Sequence, residues 1–310
     1  MTDRKTYKVL INEFIHGCHK IAEDLVIRIF GETDMSYRLV YFLRAKRWPD
    51  LNEPKNWNEK LFWLSRHWRN PLITKCADKY LVREYLQEKG CGDILNELYG
   101  TYDRGEDIPF DKLPEKFVLK CNHGSKMNII CEDKNSFDRE SAIRTLNKWM
   151  SSPYGRGSEW QYKAIPRKIL AEKYIESADG HMTEYQIFCF NGKPQFFLVR
   201  NDLRNSSKDR EIEQYAVSYT MDWKRIYMRK NEERFQFELP EPANYKKMID
   251  YAVRLSADFP QVRVDYYEVD DRLIFGELTF SSNGNIQSNY KKEYIDSLGE
   301  KLILPEPYKS

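Results

Sequence analysis

The strongest chemical signal in this 310-residue sequence is a set of charged residues inside two neighbouring strand-like segments. The segment VRVDYYEV carries Arg263 and Asp265, and the segment FGELTF, which follows it closely, carries Glu277. Both segments are otherwise apolar or aromatic, which is typical of strands that a fold buries. Charges at such positions need a compensating partner, because an unpaired buried charge is very costly.

The register between the two strands decides whether these charges can act together. Side chains alternate between the faces of a strand, so Arg263 and Asp265 share one face. We expect the segment DDR (residues 270–272) to form a three-residue turn, which places Asp265 opposite Glu277 and Arg263 opposite Thr279. The residues of the second strand expected to share this face are Leu273, Phe275, Glu277 and Thr279. A two-residue turn would put the two carboxylates on opposite faces.

Two directly opposed carboxylates lie about 5 Å apart at Cβ, and they repel each other unless a cation lies between them. Magnesium suits such a pair, because it takes oxygen ligands at roughly 2.1 Å, usually one or two carboxylates plus phosphate and water. Arg263 beside them offers a bidentate contact to a phosphate or a carboxylate. The pattern therefore indicates a site for a metal-bound polyphosphate. An ion-pair network on a solvated sheet face explains the two strands equally well, and the strands alone leave both explanations open.

Two further segments carry residue types that suit a nucleotide. The segment FVLKCNHGS ends a strand near Lys120 and continues into a small polar loop, where the Gly124 and Ser125 amides can donate to phosphates. The backbone of AEKYI can pair with an adenine edge, and Asp179 can reach a ribose hydroxyl. Each has a plain alternative: Lys120 as a surface lysine at a strand end, and Glu172 and Asp179 as surface carboxylates.

The elements that must position these residues form a mixed pattern without a regular βαβ alternation. Apolar residues recur at helical spacing in NWNEKLFWLSRHW, so the first 75 residues are expected to be largely helical. Further helices are predicted over DKYLVREYLQEKG, DRESAIRTLNKWM and NYKKMIDYAVRLSADF. A strand is predicted at KILAEKYI, and hairpins are predicted at FVLKCNHGSKMNIICED and at EYQIFCFNGKPQFFLV, where Asn191-Gly192 forms the turn. These elements predict an α+β fold with mostly antiparallel sheets.

Composition excludes several classes of function. The 50 basic and 48 acidic residues leave a net charge of +2, which argues against an extended nucleic-acid surface. No run of 18 apolar residues occurs, so no transmembrane segment is expected. The start, MTDRKTYKVLINEF, lacks the pattern of a secretory signal, and the six cysteines are scattered without a C-x-x-C pair. We therefore expect a reduced, cytoplasmic protein.

In their order along the chain, FVLKCNHGS, EKYI and VRVDYYEV…FGELTF resemble the ATP-grasp superfamily. More narrowly, the chain resembles the TupA-like ATP-grasp proteins of bacterial cell-surface polysaccharide clusters, in NEKLFWL, DKYLVREYL, FDKLPEKFVLKCNHGS, EWQYKAIPRKILAEKYI, FCFNGKPQF and LGEKLIL. The similarity runs from about Asn52 to Leu304. It implies an ATP-grasp fold with the nucleotide between two α+β lobes. We expect a helical N-terminal region at 1–75, a small lobe with the phosphate loop at 76–175, and a large lobe with the metal site at 176–310.

The resemblance also implies roles for individual residues. ATP is expected to contact Lys79, Arg83, Lys120, His123, Gly124, Ser125, Glu172, Lys173, Tyr174, Ile175 and Asp179. Mg²⁺ is expected to bind Asp265, Glu277, Thr279 and Asn283. Arg263 and Lys120 are the expected catalytic residues: Arg263 neutralises an acyl phosphate or the oxyanion formed by amine attack, and Lys120 holds the nucleotide phosphates.

Three positions depart from the family pattern. Thr279 stands where many members of the superfamily have an asparagine that binds the metal. Gln186 stands where a lysine facing the phosphates is usual, and Lys126 stands in the loop where glycine is usual. These differences bear on turnover more than on nucleotide binding.

The resemblance implies an ATP- and Mg²⁺-dependent carboxylate–amine ligase that forms a C–N bond through an acyl phosphate and releases ADP. The expected substrates are an amino acid and a sugar carboxylate, such as a uronic acid of a capsular or cell-surface polysaccharide. Two alternatives stay open: a glycosyltransferase of polysaccharide biosynthesis, and a degenerate scaffold that binds nucleotide without turnover. The expected location is the cytoplasm, at the inner face of the membrane, and the sequence is compatible with a homo-oligomer or a polysaccharide-assembly partner.

Overall fold

The computed structural model describes residues 21–155, 157–177, 182–202 and 215–309. Helices dominate its N-terminal part, as the sequence predicts. These are α1 (residues 21–30), α2 (Asp34–Ala45), α3 (Trp57–His67) and α4 (Pro71–Ala77). Thr33 and Asn56 begin α2 and α3 with capping boxes, in which a side-chain oxygen accepts from an otherwise unpaired backbone N–H. The helical prediction for NWNEKLFWLSRHW is therefore confirmed.

A four-stranded antiparallel sheet follows, with the strand order β1-β4-β2-β3. Its strands are β1 (Leu98–Tyr102), β2 (Phe117–Cys121), β3 (Asn128–Cys131) and β4 (Ile169–Lys173). Helix α5 (Val82–Glu88) precedes this first sheet, and α6 (Arg139–Ser151) packs on it through a cluster of apolar side chains that includes Phe117 and Leu146. The predicted hairpin around the small polar loop is confirmed, since Lys120 pairs with Asn128 across β2 and β3.

The second sheet has six antiparallel strands in the order β10-β9-β5-β6-β7-β8. They are β5 (Met182–Phe190), β6 (Lys193–Asp202), β7 (Ala216–Tyr219), β8 (Arg225–Ile226), β9 (Gln261–Val269) and β10 (Arg272–Thr279). Helix α7 (Tyr245–Ser256) covers one face through Met248, Ala252 and Leu255. Helix α8 (Lys292–Lys301) packs with α3 against aromatic residues that include Phe188 and Phe196. The α+β prediction with mostly antiparallel sheets is confirmed.

The turn between β9 and β10 differs from the prediction, although the pairing of the charged residues does not. Only Asp270 and Asp271 form the turn, both with positive φ (50° and 60°), and Arg272 pairs with Val269. Such backbone angles are typical of a two-residue hairpin turn. The predicted three-residue turn is therefore wrong. The register then shifts between Phe275 and Glu277, where a β-bulge inserts one extra residue.

This bulge restores the pairing that the two-residue turn would have lost. Beyond it, Glu277 lies opposite Asp265 and Thr279 lies opposite Arg263, so the predicted juxtaposition of the carboxylates is confirmed. The predicted face of Leu273 and Phe275 is wrong, because these two residues and Leu278 all pack in the core beneath α7. The extra residue reverses the alternation, which leaves Glu277 on the face opposite that core.

The residue at the bulge is Gly276, and the close approach of β9 requires a glycine there. A Cβ atom at position 276 would lie 3.0 Å from the backbone oxygen of Asp265. We therefore predict that Gly276→Ala lowers the free energy of unfolding by about 1–3 kcal/mol, since backbone atoms must move to accept the methyl group. Urea unfolding measures this change.

Gly92→Ala is the matched control for Gly276→Ala. Its Cβ would meet the Cγ atom of Gln87 at 3.2 Å, and a flexible side chain can move away. Equal stability of the two variants would show that the bulge does not depend on glycine.

Candidate functional site

A cleft of about 260 Å³ opens between the two sheets, and it collects most of the predicted nucleotide contacts. We call it the interlobe cleft. Residues of the first sheet and of the segment before α5 form one wall, and residues of the second sheet form the other. The predicted residues that line it are Lys79, Arg83, Lys120, Ser125, Glu172, Ile175 and Glu277. Residues that sequence reasoning missed also line it, among them Asn96, Tyr162 and Glu184.

Lys120 and Glu172 face each other across neighbouring strands of the first sheet. Lys120 Nζ lies 2.8 Å from Glu172 Oε2, and the side chains are 32% and 9% exposed. Lys120 thus reaches the cleft with its charge held in place by a largely buried carboxylate. This position suits an ammonium that binds phosphate oxygens as a point charge. Lys120 is one of the residues that line the interlobe cleft.

Lys79 is the second cation on this wall. Its Nζ donates to the backbone oxygen of Gly124 at 2.7 Å, and Asp78 orders the turn that contains Lys79 by accepting from Tyr80 N at 2.8 Å. Burial lowers the pKa of Lys79, against the opposing effect of Glu277 and other carboxylates. The ammonium is therefore poorly solvated, and a polyanion in the cleft would stabilise its charged form.

The loop after β2 is anchored by the buried Asn122, a residue to which sequence reasoning assigned no role. Asn122 is fully buried, donates to Asp78 Oδ1 and Pro166 O, both at 2.9 Å, and accepts from Lys168 N. These bonds join the loop to the segments before α5 and β4. Asn122 therefore holds the loop in place beside the first sheet.

The other loop residues divide between the cleft and the interior. Ser125 N donates to the Tyr154 hydroxyl at 3.3 Å, and Lys126 adopts a positive φ of 60°. His123 is only 1% exposed, and its Nε2 donates to the backbone oxygen of Trp149 at 3.3 Å. Its imidazole thus packs against the backbone of α6 and does not line the interlobe cleft.

The segment after β4 presents only part of its predicted contacts to the cleft. Ile175 lines it, whereas the Lys173 side chain pairs with Glu97 at 3.3 Å and the Tyr174 hydroxyl donates to Glu132 at 3.0 Å. The Lys173 backbone oxygen already accepts from Asn96 Nδ2 at 2.8 Å. The predicted ribose contact, Asp179, lies outside the described residues.

Arg263 is the centre of the charge cluster on the second sheet. Its Nε and Nη2 bind the two oxygens of Asp265 at 2.7 and 2.5 Å, and Nη2 also donates to Thr279 Oγ1 at 3.0 Å. The same Nη2 lies 3.5 Å from Glu277 Oε1. Nη1 donates to Ser282 Oγ at 2.8 Å. The guanidinium thus supplies positive charge between the two opposed carboxylates.

Burial dominates the electrostatics of this cluster. It raises the pKa of the fully buried Asp265 carboxyl to about 7, although the adjacent Arg263 guanidinium acts in the opposite direction. For Arg263, burial alone would lower the pKa, but Asp265 outweighs it and the net shift is upward. The guanidinium is therefore what allows Asp265 to carry charge near neutral pH.

The oxygen donors of this cluster match magnesium in type, while Arg263 binds both oxygens of Asp265 and Asp265 lines neither cavity. Asp265 and Glu277 contribute carboxylate oxygens, and Thr279 Oγ1 lies 2.7 Å from Glu277 Oε1 and 3.5 Å from Asp265 Oδ2. All are the oxygen ligands that this hard cation prefers, with phosphate and water completing the shell. Glu277, with 42% of its side chain exposed, is the carboxylate of the pair that opens to the cleft. Within the described ranges, no group of three or more His, Cys, Asp or Glu residues could hold a metal.

A second cavity of about 580 Å³ lies on the same face of the second sheet, and we call it the basic pocket. Its lining residues include Gln186, Arg200, Arg229, Lys230, Arg234, Arg263, Asn283 and Tyr290. Asn283, a predicted metal ligand, lines this pocket, and its Nδ2 donates to Gln287 Oε1 at 3.2 Å. Since Arg263 lines the basic pocket and Glu277 lines the interlobe cleft, the charge cluster separates the two cavities.

The family model described as TupA-like ATPgrasp matches residues 59–303. The chain belongs to the TupA-like ATP-grasp family, and its fold is the ATP-grasp fold. No curated protein matches the sequence significantly.

Solved structures with a similar fold include three bacterial ligases. The D-alanine–D-alanine ligase of Bacillus anthracis is 18% identical, with a TM-score of 0.45 over 73% of this chain and 64% of that one. The corresponding ligase of Helicobacter pylori is 14% identical, with a TM-score of 0.45 over 74% and 61%. The L-amino acid ligase of Bacillus licheniformis is 18% identical, with a TM-score of 0.42 over 71% and 44%. This chain thus spans less than two thirds of each of them.

Within the part of the chain that the structure describes, no helix combines the length and the apolar character needed to cross a bilayer.

The Arg263–Asp265 pair predicts a distinctive pH response. Arg263→Met leaves Asp265 buried without its partner, and breaking a buried pair in this way costs about 3–5 kcal/mol. In the variant, the pKa of Asp265 rises above its wild-type value of about 7, while the unfolded chain ionises this carboxyl near pH 4. The free energy of unfolding therefore continues to fall between pH 7 and pH 8.5 in Arg263→Met, as urea unfolding measures.

The double variant Arg263→Met/Asp265→Asn removes the titrating group and should lose this additional pH dependence. If the single and double variants respond identically to pH, Asp265 is not the buried carboxyl that Arg263 compensates.

A second prediction concerns Lys120 in the interlobe cleft. Lys120→Gln removes the ammonium charge and retains a hydrogen-bonding group for Glu172. We expect ATP to bind this variant about tenfold more weakly in the presence of Mg²⁺, because one charge-assisted contact is lost. Calorimetric titration measures the affinity. Lys168→Gln is the control, since Lys168 Nζ binds Asp103 at 2.7 Å and the residue does not line the cleft; an equal loss in both variants would contradict the assignment.

Proposed function

We propose that this protein is an ATP- and Mg²⁺-dependent ligase that joins a carboxylate to an amine and releases ADP. The observation that carries the proposal is the position of the Arg263–Asp265–Glu277 cluster at the junction of two cavities. A nucleotide in the interlobe cleft and a carboxylate in the basic pocket would meet there. Membership of the TupA-like ATP-grasp family supports this reading.

The first step proposed is attack of the substrate carboxylate on the γ-phosphorus of ATP, which forms an acyl phosphate and releases ADP. Lys79 and Lys120 line the cleft where the phosphates would lie, and their charges offset the anion. Ile175 and the backbone near Glu172 would hold the adenine. Magnesium, held by Asp265, Glu277 and the Thr279 hydroxyl, would supply further charge neutralisation between the phosphates.

In the second step an amine attacks the acyl carbon, phosphate leaves, and the nitrogen loses a proton. Arg263 is placed to offset the oxyanion that forms on this carbon, because its guanidinium lines the basic pocket. No protein nucleophile is required. Cys76 lines the interlobe cleft, but burial raises the pKa of its thiol far above neutrality, so it stays protonated. Catalysis in this scheme consists of alignment and charge neutralisation.

We propose further that the carboxylate belongs to a sugar acid, such as a uronic acid of a cell-surface polysaccharide, and that the amine belongs to an amino acid. This substrate pair rests on the sequence motifs shared with the polysaccharide-associated family. The same motifs support action in the cytoplasm at the inner face of the membrane.

The test is ADP and phosphate release in the presence of ATP, Mg²⁺, an amino acid and D-glucuronate or D-galacturonate. We expect release to require both substrates and to fall at least about a hundredfold in Glu277→Gln, because the open metal ligand loses its charge. Glu176→Gln is the matched control, since Glu176 lies outside the interlobe cleft and pairs with Lys116.

Two other outcomes would replace the ligase. Consumption of a nucleotide sugar without ATP would identify a glycosyltransferase. ATP binding without turnover, across a full panel of amino acids and sugar acids, would identify a scaffold.

A further inference from the structure

The basic pocket carries more positive charge than the ligase reaction itself requires. Besides Arg263, its lining includes Arg200, Arg229 and Lys230, which come from β6 and from the segment after β8. A single carboxyl group at the charge cluster needs only Arg263. These additional cations therefore point to a second anionic group on the same ligand.

The one carboxylate among the described lining residues does not offset these cations. Glu232 is 2% exposed, and its oxygens accept from the backbone nitrogens of Ser218 and Arg229 and from Arg225 Nη1. Arg225 is also almost fully buried, and its Nη1 lies 2.8 Å from Glu232 Oε1. The charge of Glu232 is thus neutralised by Arg225 inside the fold, and the Arg229 and Lys230 side chains keep their charge for the pocket.

Among the described residues, the outer cations have only weak contacts with other groups. Arg200 is half exposed, and its Nη1 lies 3.9 Å from Glu184 Oε2, at the limit of an ion pair. Arg229 Nη1 donates to the Ala216 backbone oxygen at 3.2 Å, while its Nε has no hydrogen-bond partner among the described residues. An anion in the basic pocket would satisfy these donors.

Polar groups on the floor of the pocket point to hydroxyl groups on the ligand. Gln186 and Tyr290 are 1% and 2% exposed, and both line the pocket. Gln186 Nε2 donates to Asp265 Oδ2 at 3.4 Å, but Gln186 Oε1 and the Tyr290 hydroxyl have no partner within the described ranges. A buried amide oxygen needs a donor, which a carboxylate or a phosphate cannot supply but a hydroxyl group can.

We propose that the basic pocket binds a polyhydroxy carboxylate that carries a second anionic group, such as a sugar acid phosphate. The reacting carboxylate lies at Arg263, and the second anion lies at Arg200, Arg229 and Lys230. The volume of about 580 Å³ accommodates such a ligand, since small-molecule sites span roughly 300–1,000 Å³. This inference deepens the proposed ligase function and rests on it for the identity of the reacting group.

Direct binding of four probes to the full chain tests the inference, with affinities measured by calorimetric titration. D-Glucuronic acid 1-phosphate has both anions, D-glucuronate and D-glucose 1-phosphate have one each, and D-glucarate has two carboxylates. We expect the first probe to bind at least about tenfold more tightly than either single-anion probe, because it gains a charge-assisted contact. D-Glucarate shows whether the second anion is a phosphate or a carboxylate: equal affinity would extend the assignment to dicarboxylates, and weaker binding would assign a phosphate.

Variants of the outer cations localise the second anion. We expect Arg200→Gln and Lys230→Gln each to lower the affinity for D-glucuronic acid 1-phosphate about tenfold. The affinity for D-glucuronate should stay within about twofold of the wild-type value. Lys193→Gln is the matched control, because Lys193 is on the same strand as Arg200 but does not line the pocket. The thermal midpoint of each variant verifies folding. Equal affinity for the one- and two-anion probes, absence of binding, or no effect of either variant would overturn the inference.

These measurements require no turnover, so they separate the pocket from the reaction. If D-glucuronic acid 1-phosphate binds as expected but ADP release never depends on an amine, the proposed function fails and the pocket assignment stands. If ADP release depends on an amino acid and a uronate but the second anion adds no affinity, only the pocket assignment fails.

Discussion

The buried guanidinium of Arg263 is the constraint on which the site depends. It lies between Asp265, which is fully buried, and Glu277, which opens to the interlobe cleft. Without the guanidinium, Asp265 could not remain charged in that position, because burial raises the pKa of its carboxyl. The same side chain donates to Thr279 and Ser282 and lines the basic pocket. One residue therefore joins β9 to β10 and lies between the basic pocket, which it lines, and Glu277, which lines the interlobe cleft.

The two walls of the interlobe cleft are held by different kinds of interaction. On the second sheet, the β-bulge at Gly276 turns Glu277 toward the cleft while Phe275 and Leu278 stay in the core. On the first sheet, hydrogen bonds from the buried Asn122 amide tie the loop to the turn that carries Lys79. The β-bulge thus orients the Glu277 carboxylate, and the buried Asn122 amide positions the Lys79 ammonium. Both features are local in the structure, and each places a charged group at the interlobe cleft.

Sequence reasoning found the site residues whose positions follow from the local sequence pattern around them. Lys120 at the end of β2, Glu172 in β4 and Glu277 in β10 follow from strand patterns, and the structure places all three at the interlobe cleft. The residues that it missed come from separate segments: Asn96, Tyr162 and Glu184 line the cleft only because the chain folds there. Glu184 had a usable signal, since it alternates with Gln186 on β5. His123 was predicted to contact the nucleotide because it lies in the small polar loop after β2. Its side chain instead points into the interior and contacts the backbone of Trp149.

The sequence by itself determined the elements and the pairing of the charged strands, because hydrophobic periodicity and turn residues act over a few positions. It also determined the opposition of Asp265 and Glu277, although for the wrong reason: a two-residue turn and a bulge gave the register expected from a three-residue turn. Only the tertiary structure decided that Glu277 lies on the face opposite Leu273 and Phe275. It also decided that Lys79 donates to Gly124, and that Arg229 and Lys230, which follow β8, lie near Arg263. These features depend on close packing between distant segments, and such contacts leave no periodic trace in the sequence.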